Sequence, residues 1–258
     1  MAYRDQVSYN LETAGAVRTL NNHSTVFTDG EENVEYLRRE MRRAKRYIHI
    51  QYYIIKNDEV FDSLVPILTE KVREGVEVRI LYDGMGGRFM PESRWEALRA
   101  AGVKVGVFFP ATLGRINFRV NYRNHRKIVV IDGRVGYVGG FNIGREYVGK
   151  DPKFGYWRDT HLKIYGDAVI SLQVRFAQDW NYACKENLFQ RAEYFETPEC
   201  VDEERRRLLD GTNFPLGIQI ISSGPDARHR QLRNHHLDLL YKTRAQTDIQ
   251  TPYFLPAE

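Results

Sequence analysis

Two short apolar runs, Ile128–Ile131 and residues 135–138, are joined by Asp132-Gly133-Arg134. An Asp-Gly pair between apolar runs is a strong turn signal, so these segments read as short strands connected by a turn. That reading commits the middle of the chain to a sheet and decides what the flanking segments must be. Val34, Leu37, Met41 and Ala44 recur at helical spacing behind Thr28-Asp29-Gly30, predicting a helix with a polar start. Residues 47–55 read as a strand, 61–74 as a helix ending before Gly75, and 76–82 as the next strand. A helix over 91–101, a strand over 103–109, a strand over 157–165 and a helix over 167–183 complete the pattern. Strands and helices alternating at these lengths predict an α/β sandwich.

Composition narrows the class. With 258 residues and 42% hydrophobic content the chain can bury one large core or two modest ones. No apolar run reaches the roughly 18 residues a membrane span needs, and the Met1-Ala2-Tyr3-Arg4 start is not a secretory signal. Cys184 and Cys200 lie at no ligand spacing, and two reduced thiols are expected rather than a disulfide. Zinc, calcium and H-E-x-x-H patterns are missing, so no metal site is expected. The net charge is +4, but its distribution is uneven. Between Glu96 and Asp132 there is no acidic side chain, while Arg99, Lys104, Arg115, Arg119, Arg123, Arg126 and Lys127 fall inside. Such a segment suits an anionic ligand or, equally, a solvated basic face.

Residues 190–214 are polar and of mixed charge, the composition of a surface connection. Beyond them a strand from Ile218 to Ser222, a helix from His229 to Arg244 and a segment Asp248-Ile249-Gln250-Thr251-Pro252-Tyr253-Phe254-Leu255 follow. The last resembles Tyr47-Ile48-His49-Ile50-Gln51-Tyr52-Tyr53-Ile54, which suggests an internal duplication. The expected organisation is an N-terminal segment over 1–22, a first domain over 23–189, a connection over 190–216 and the start of a second repeat over 217–258.

The chemistry lies in Asn124-His125-Arg126-Lys127-Ile128-Val129-Val130-Ile131-Asp132 followed by Gly139-Gly140-Phe141-Asn142, a pattern H-x-K-x4-D-x6-G-G-x-N. This resembles the HKD motif of the phospholipase D superfamily, and all six fixed positions are met. The resemblance implies that sandwich with a mixed central sheet flanked by helices. It also implies that His125 attacks phosphorus as a neutral imidazole, giving a phosphohistidine resolved by a second alcohol. Lys127, two residues on and therefore on the same face of an extended segment, would balance charge on the phosphate oxygens, and the Asn142 amide would donate to them. Gly139 and Gly140 would let the backbone approach the phosphate. Asp132 either completes the catalytic set or simply fixes the strand connection. The carboxylate that holds the His125 ring in one tautomer could instead be Asp159 or Glu146.

Outside the motif, the stretch Lys71 to Asp83, the lead Asn121-Tyr122-Arg123-Asn124, the segment Gly155 to His161 and Thr251-Pro252-Tyr253-Phe254 are similar to bacterial cardiolipin synthases of the phospholipase D type. That likeness implies a transferase that joins two phosphatidylglycerols into cardiolipin and releases glycerol, without a cofactor. It implies an anionic membrane surface and a second HKD half as partners, no nucleic acid, and a bacterial cell-membrane location with this part on the cytoplasmic side. The family's second motif, whose histidine protonates the leaving alkoxide, and its N-terminal membrane segments are not in this sequence. The chain therefore reads as part of a longer enzyme, with a one-motif homodimer as the rival account. Three alternatives to the transferase stay open: a lipid hydrolase, a nuclease, and a binding module without activity. Arg38, Arg39, Arg42, Arg43, Lys45 and Arg46 form a basic run that either meets anionic lipid or is solvated.

Other candidates read as structural. His161-x-Lys163 lacks the following Asp and G-G-x-N. His229, His235 and His236 are expected at the surface and His49 half-buried, while Gly84, Gly86 and Gly87 read as a plain loop.

Overall fold

The computed structural model describes residues 2–110, 123–196, 216–224 and 230–251. Arg115, Arg119, the Asn121-Tyr122 lead, Cys200, the charged run 199–207, His229 and the Pro252-to-Leu255 part of the repeat lie outside them. The chain divides into two compact units, Thr19–Ile218 and a unit formed by Met1–Arg18 with Gln219–Glu258.

Among the described residues, the strands are β1 (Arg18–Phe27), β2 (Tyr47–Tyr52), β3 (Glu77–Asp83), β4 (Lys104–Phe108), β5 (Ile128–Ile131), β6 (Val135–Gly139), β7 (His161–Gly166) and β8 (Leu216–Gln219). They form one sheet in the order β4-β3-β2-β5-β6-β7-β1-β8. β4, β3 and β2 are parallel, and β2-β5-β6-β7-β1 are antiparallel. The sheet is mixed, as expected.

Strand alternation sorts the two faces. Ile48, Ile50, Tyr52, Val78, Ile80, Tyr82, Val129 and Ile131 join the main core with α2 (Gly30–Arg43), α3 (Glu59–Arg73) and α4 (Glu92–Ala100). The other face carries His49, Gln51 and Arg79, and it is covered by α5 (Ala168–Cys184), whose Gln173 and Asp179 bond to His49 and Gln51. The start of α2 follows its sequence signal, Asp29 accepting from the Glu32 amide at 2.9 Å, while Asp58 caps α3 through Val60 and Phe61 and starts it two residues before the expected 61. Acidic residues open α2 and Arg42 and Arg43 close it, matching the helix dipole.

Four details differ from the sequence reading. His49 is fully buried, stacked between Tyr47 and Phe176 and bonded to Gln173, because strand alternation turns it under α5. The strand expected over 157–165 begins only at His161 and runs to Gly166; residues 157–160 leave the ladder and carry Asp159. β1 and the first helix, α1 (Ala2–Ala14), were not foreseen. The segment Asp248–Thr251 adopts no strand, since aromatic and β-branched composition makes a strand only where a partner pairs with it.

In the second unit, Gln6 and Asn10 of α1 hydrogen-bond His235 of α6 (Gln231–Lys242) at 3.0 Å each. His236 is exposed, as expected, and α6 buries none of its residues.

Candidate active site

The topology gathers one set of loops at one edge of the sheet. β2, β3, β4 and β6 end there, and β5 and β7 begin there. Loop positions at the strand ends of such sheets are where ligands bind in many α/β folds. His125 lies at this edge, in residues 123–127, which stand outside the ladder just before β5. Its ring is exposed and tilts against Tyr53 at 4.6 Å between centroids.

Lys127 folds back along this segment. Its Nζ lies 3.1 Å from His125 Nδ1 and 3.3 Å from Nε2, and donates to the His125 carbonyl at 2.9 Å. Partial burial lowers the His125 pKa and the Lys127 cation lowers it further, with Asp83 opposing. A neutral imidazole is thus favoured near pH 7. Burial holds Lys127 at about 8, with Asp159 pulling it back up.

The flanking side chains point the other way and fix which face His125 presents. Asn124 Nδ2 donates to Asp179 Oδ2 at 3.0 Å, and Arg126 Nη1 donates to both Asp179 oxygens at 2.9 and 3.1 Å. Gln51 Nε2 donates to the same carboxylate at 2.7 Å and to Asn124 Oδ1 at 2.9 Å. The Asn124 amide nitrogen donates to Asp83 Oδ2 at 3.0 Å. Asp83 Oδ1 accepts from Met85 at 2.8 Å and from Gly86 at 3.3 Å, and so shapes the loop after β3. Asp83, Asp179, Asn124 and Gln51 are all buried, where hydrogen bonds between polar groups rigidify their surroundings.

The remaining predicted residues divide. Asn142 is buried at this edge, its Oδ1 accepting from the Ile54 amide at 3.1 Å, and it shares the Tyr147 hydroxyl with Glu146. Glu146 is also paired with Lys56. Asp159 acts electrostatically on Lys127 and stands against Gly140, where a Cβ would fall 1.9 Å from Oδ1. Gly140 donates its own N–H to the Thr160 carbonyl at 2.8 Å. The missing side chain of Gly140 makes room for Asp159. Gly139 likewise makes room for the backbone of Thr160 and His161.

Asp132 is separated from the site. It follows β5 at the opposite edge, about 16 Å from Lys127 at strand rise. Its Oδ2 accepts from the Lys45 amide at 2.8 Å, and its Oδ1 from Arg46 at 2.8 Å and Tyr47 at 2.9 Å. With φ at +57°, it turns the β5–β6 connection and ties it to the start of β2. Of its two expected roles, the structural one is observed. The basic run from Arg38 to Arg46 lies at that opposite edge too, where α2 ends and β2 begins.

Sequence reading missed Asp83, Asp179, Gln51 and Tyr53. The available signal was weak, because Gln51 shares β2 with His49, and Asp179 shares α5 with Gln173, Arg175, Gln178 and Asn181.

The family described as "Cardiolipin synthase, PLD-like domain" matches residues 37–180. The cardiolipin synthase of Oceanobacillus iheyensis is 43% identical over 256 residues, covering 99% of this chain and 50% of the relative. Cardiolipin synthase 2 of Staphylococcus epidermidis is 46% identical over 255 residues, covering 98% and 50%. The chain spans about half the length of the curated relatives it matches. Among solved structures, phosphatidylserine synthase of Haemophilus influenzae aligns with a TM-score of 0.61 and 16% identity, over 95% of this chain and 58% of that one. NucT from Helicobacter pylori aligns at 0.50 and 15% identity, over 63% and 98%. These two likenesses concern the fold. With the motif, the sheet and the family match in agreement, the chain belongs to the cardiolipin synthase family of phospholipase D-like domains.

Proposed function

We propose that this chain carries the nucleophilic half of a phosphatidyltransferase that makes cardiolipin. His125 attacks the phosphorus of one phosphatidylglycerol; the P–O bond to the headgroup glycerol breaks, and that glycerol leaves with a proton. A hydroxyl of a second phosphatidylglycerol then attacks the phosphohistidine, the P–N bond breaks, and cardiolipin forms with His125 restored. Lys127 neutralises charge on the non-bridging oxygens, and the Asn142 amide, its oxygen held by Ile54, offers its nitrogen to them. Asp159 supports the Lys127 cation. No step calls for a cofactor.

The reading places residues 217–258 at the start of a second repeat. In that account another HKD half supplies the acid that protonates the leaving alkoxide, because chemistry of this kind needs both groups. Among the described residues no helix is long and apolar enough to cross a membrane. A bacterial membrane location, facing the cytoplasm, belongs to the longer protein.

One observation carries the reading: an exposed imidazole, biased toward neutrality, with the Lys127 ammonium 3.1 Å from its ring. The test supplies the longer protein with phosphatidylglycerol in mixed micelles. Cardiolipin and glycerol in equal amounts are expected. Phosphatidic acid as the main product, or cleaved DNA instead, would replace transfer by hydrolysis.

A further inference from the structure

The edge that holds His125 is rimmed by exposed aromatic side chains. Phe89, in the loop after β3, is 74% exposed; Phe154 and Tyr156, in the loop before β7, are 49% and 67% exposed. The two loops flank the histidine. Gly86 packs against the Tyr53 carbonyl, and the Tyr53 ring lies tilted against His125. On the other side, Trp157 packs on Tyr147, which bonds to Asn142 and Glu146. Each exposed phenylalanine carries a cation on its ring: Arg88 at 4.5 Å from the Phe89 centroid and Lys153 at 5.4 Å from that of Phe154. Arg88 Nη1 also donates to Met85 Sδ at 3.2 Å. The loops at this edge, residues 53–58, 84–91, 123–127 and 140–160, hold nine lysines and arginines against four carboxylates.

We propose that this rim is the surface on which the domain docks to an anionic lipid bilayer, with Phe89, Phe154 and Tyr156 entering the headgroup layer and Arg88 and Lys153 meeting lipid phosphates. Aromatic rings with cations beside them suit the interface, where one part of the side chain is apolar and the other wet. Charge complementarity favours anionic lipid over a neutral surface. The orientation also brings His125 toward the layer in which a lipid's phosphorus lies. It sets the basic run of Arg39, Arg42 and Lys45, at the opposite edge, away from the bilayer. The inference rests on the lipid-substrate reading above, but its test measures binding and not turnover, so the two can fail separately.

The experiment is sedimentation of this chain with vesicles of phosphatidylglycerol and phosphatidylcholine, or of phosphatidylcholine alone. The chain should sediment with the anionic vesicles only. The triple variant F89S/F154S/Y156S, altered at exposed positions and checked for folding by circular dichroism, should bind about tenfold more weakly. Arg39→Glu with Arg42→Glu should bind like the parent. In Phe89→Trp, the added fluorescence should be quenched by brominated phosphatidylglycerol, in this chain and in the longer protein. Failure to sediment with either vesicle, or undiminished binding by the triple variant, overturns the proposal. So does loss of binding in the opposite-edge variant, or a Phe89→Trp signal in the longer protein shielded from bromolipid, as a covering protein partner would make it.

Discussion

His125-x-Lys127 and His161-x-Lys163 share a spacing and an edge of one sheet, yet they meet opposite surroundings. His161 opens β7 inside the ladder, and both its ring nitrogens are buried with no hydrogen-bond partner among the described residues. It packs against Phe141 and Tyr137, and burial together with Lys127 pushes its pKa down to about 3. Lys163 is drawn elsewhere, 3.6 Å from Glu40 and over the Tyr36 and Tyr165 rings. On a regular strand, residues two apart share a face but stand almost 7 Å apart, so each finds its own partner. Residues 123–127 are free of the ladder, and there the lysine can bend back onto the histidine. A sequence motif thus becomes a site where the backbone is released from pairing and held by other means.

Those means make the comparison breakable. Among substitutions that leave His125 in place, the largest effect is expected from Lys127→Ala, with a loss of roughly 3 kcal/mol in the chemical step. A near-parental rate would remove Lys127 from the phosphate. The same lysine predicts a pH profile. Its pKa lies at about 8, below the usual value, so the cation is present below that pH and disappears above it. His125, the proposed nucleophile, is lowered as well, so it favours the neutral form near neutral pH and gains its proton on acidification. Activity should therefore fall on the alkaline side through about pH 8, and Lys127→Arg should move that limb upward. An unmoved limb would assign it to another group.

Asp132→Ala should act at the other end of β5, on stability, because three backbone amides lose their acceptor. A cost of about 2 kcal/mol in denaturant unfolding is expected, with the turnover of the folded fraction unchanged. A selective loss of turnover would return Asp132 to the chemistry.

Asp179→Asn keeps shape and removes the charge that holds Asn124, Gln51 and Arg126. It should lower kcat about tenfold with KM nearly constant, since it loosens the orientation of His125 and not lipid binding. A change in KM alone would contradict a positioning role.

The smallest effect belongs to His161→Phe. Replacing a buried ring without hydrogen bonds by an apolar ring of similar size should change turnover less than about twofold and leave stability equal or higher. A large loss of activity would end the contrast between the two pairs.

Much of this was legible in the residues. The Asp-Gly turn between two apolar runs located the β5–β6 pair, and the motif named His125, Lys127 and Asn142, which the fold brings to one edge. The pattern could not say that Asp132 stands at the far end of a strand, since spacing records order along the chain and not which end of the sheet a residue reaches. Nor could it identify Asp179, whose partners lie more than fifty residues away and meet it only once α5 covers the sheet. The strand over 157–165 was drawn too long because aromatic residues resemble strand composition, while Asp159 must leave the ladder to stand against Gly140.

The most direct test is chemical trapping of the intermediate. The longer protein, mixed with labelled phosphatidylglycerol and quenched during turnover, should carry an acid-labile, base-stable label on the peptide containing His125. His125→Asn should abolish both label and turnover. Label on another residue, or undiminished turnover by that variant, would contradict the account.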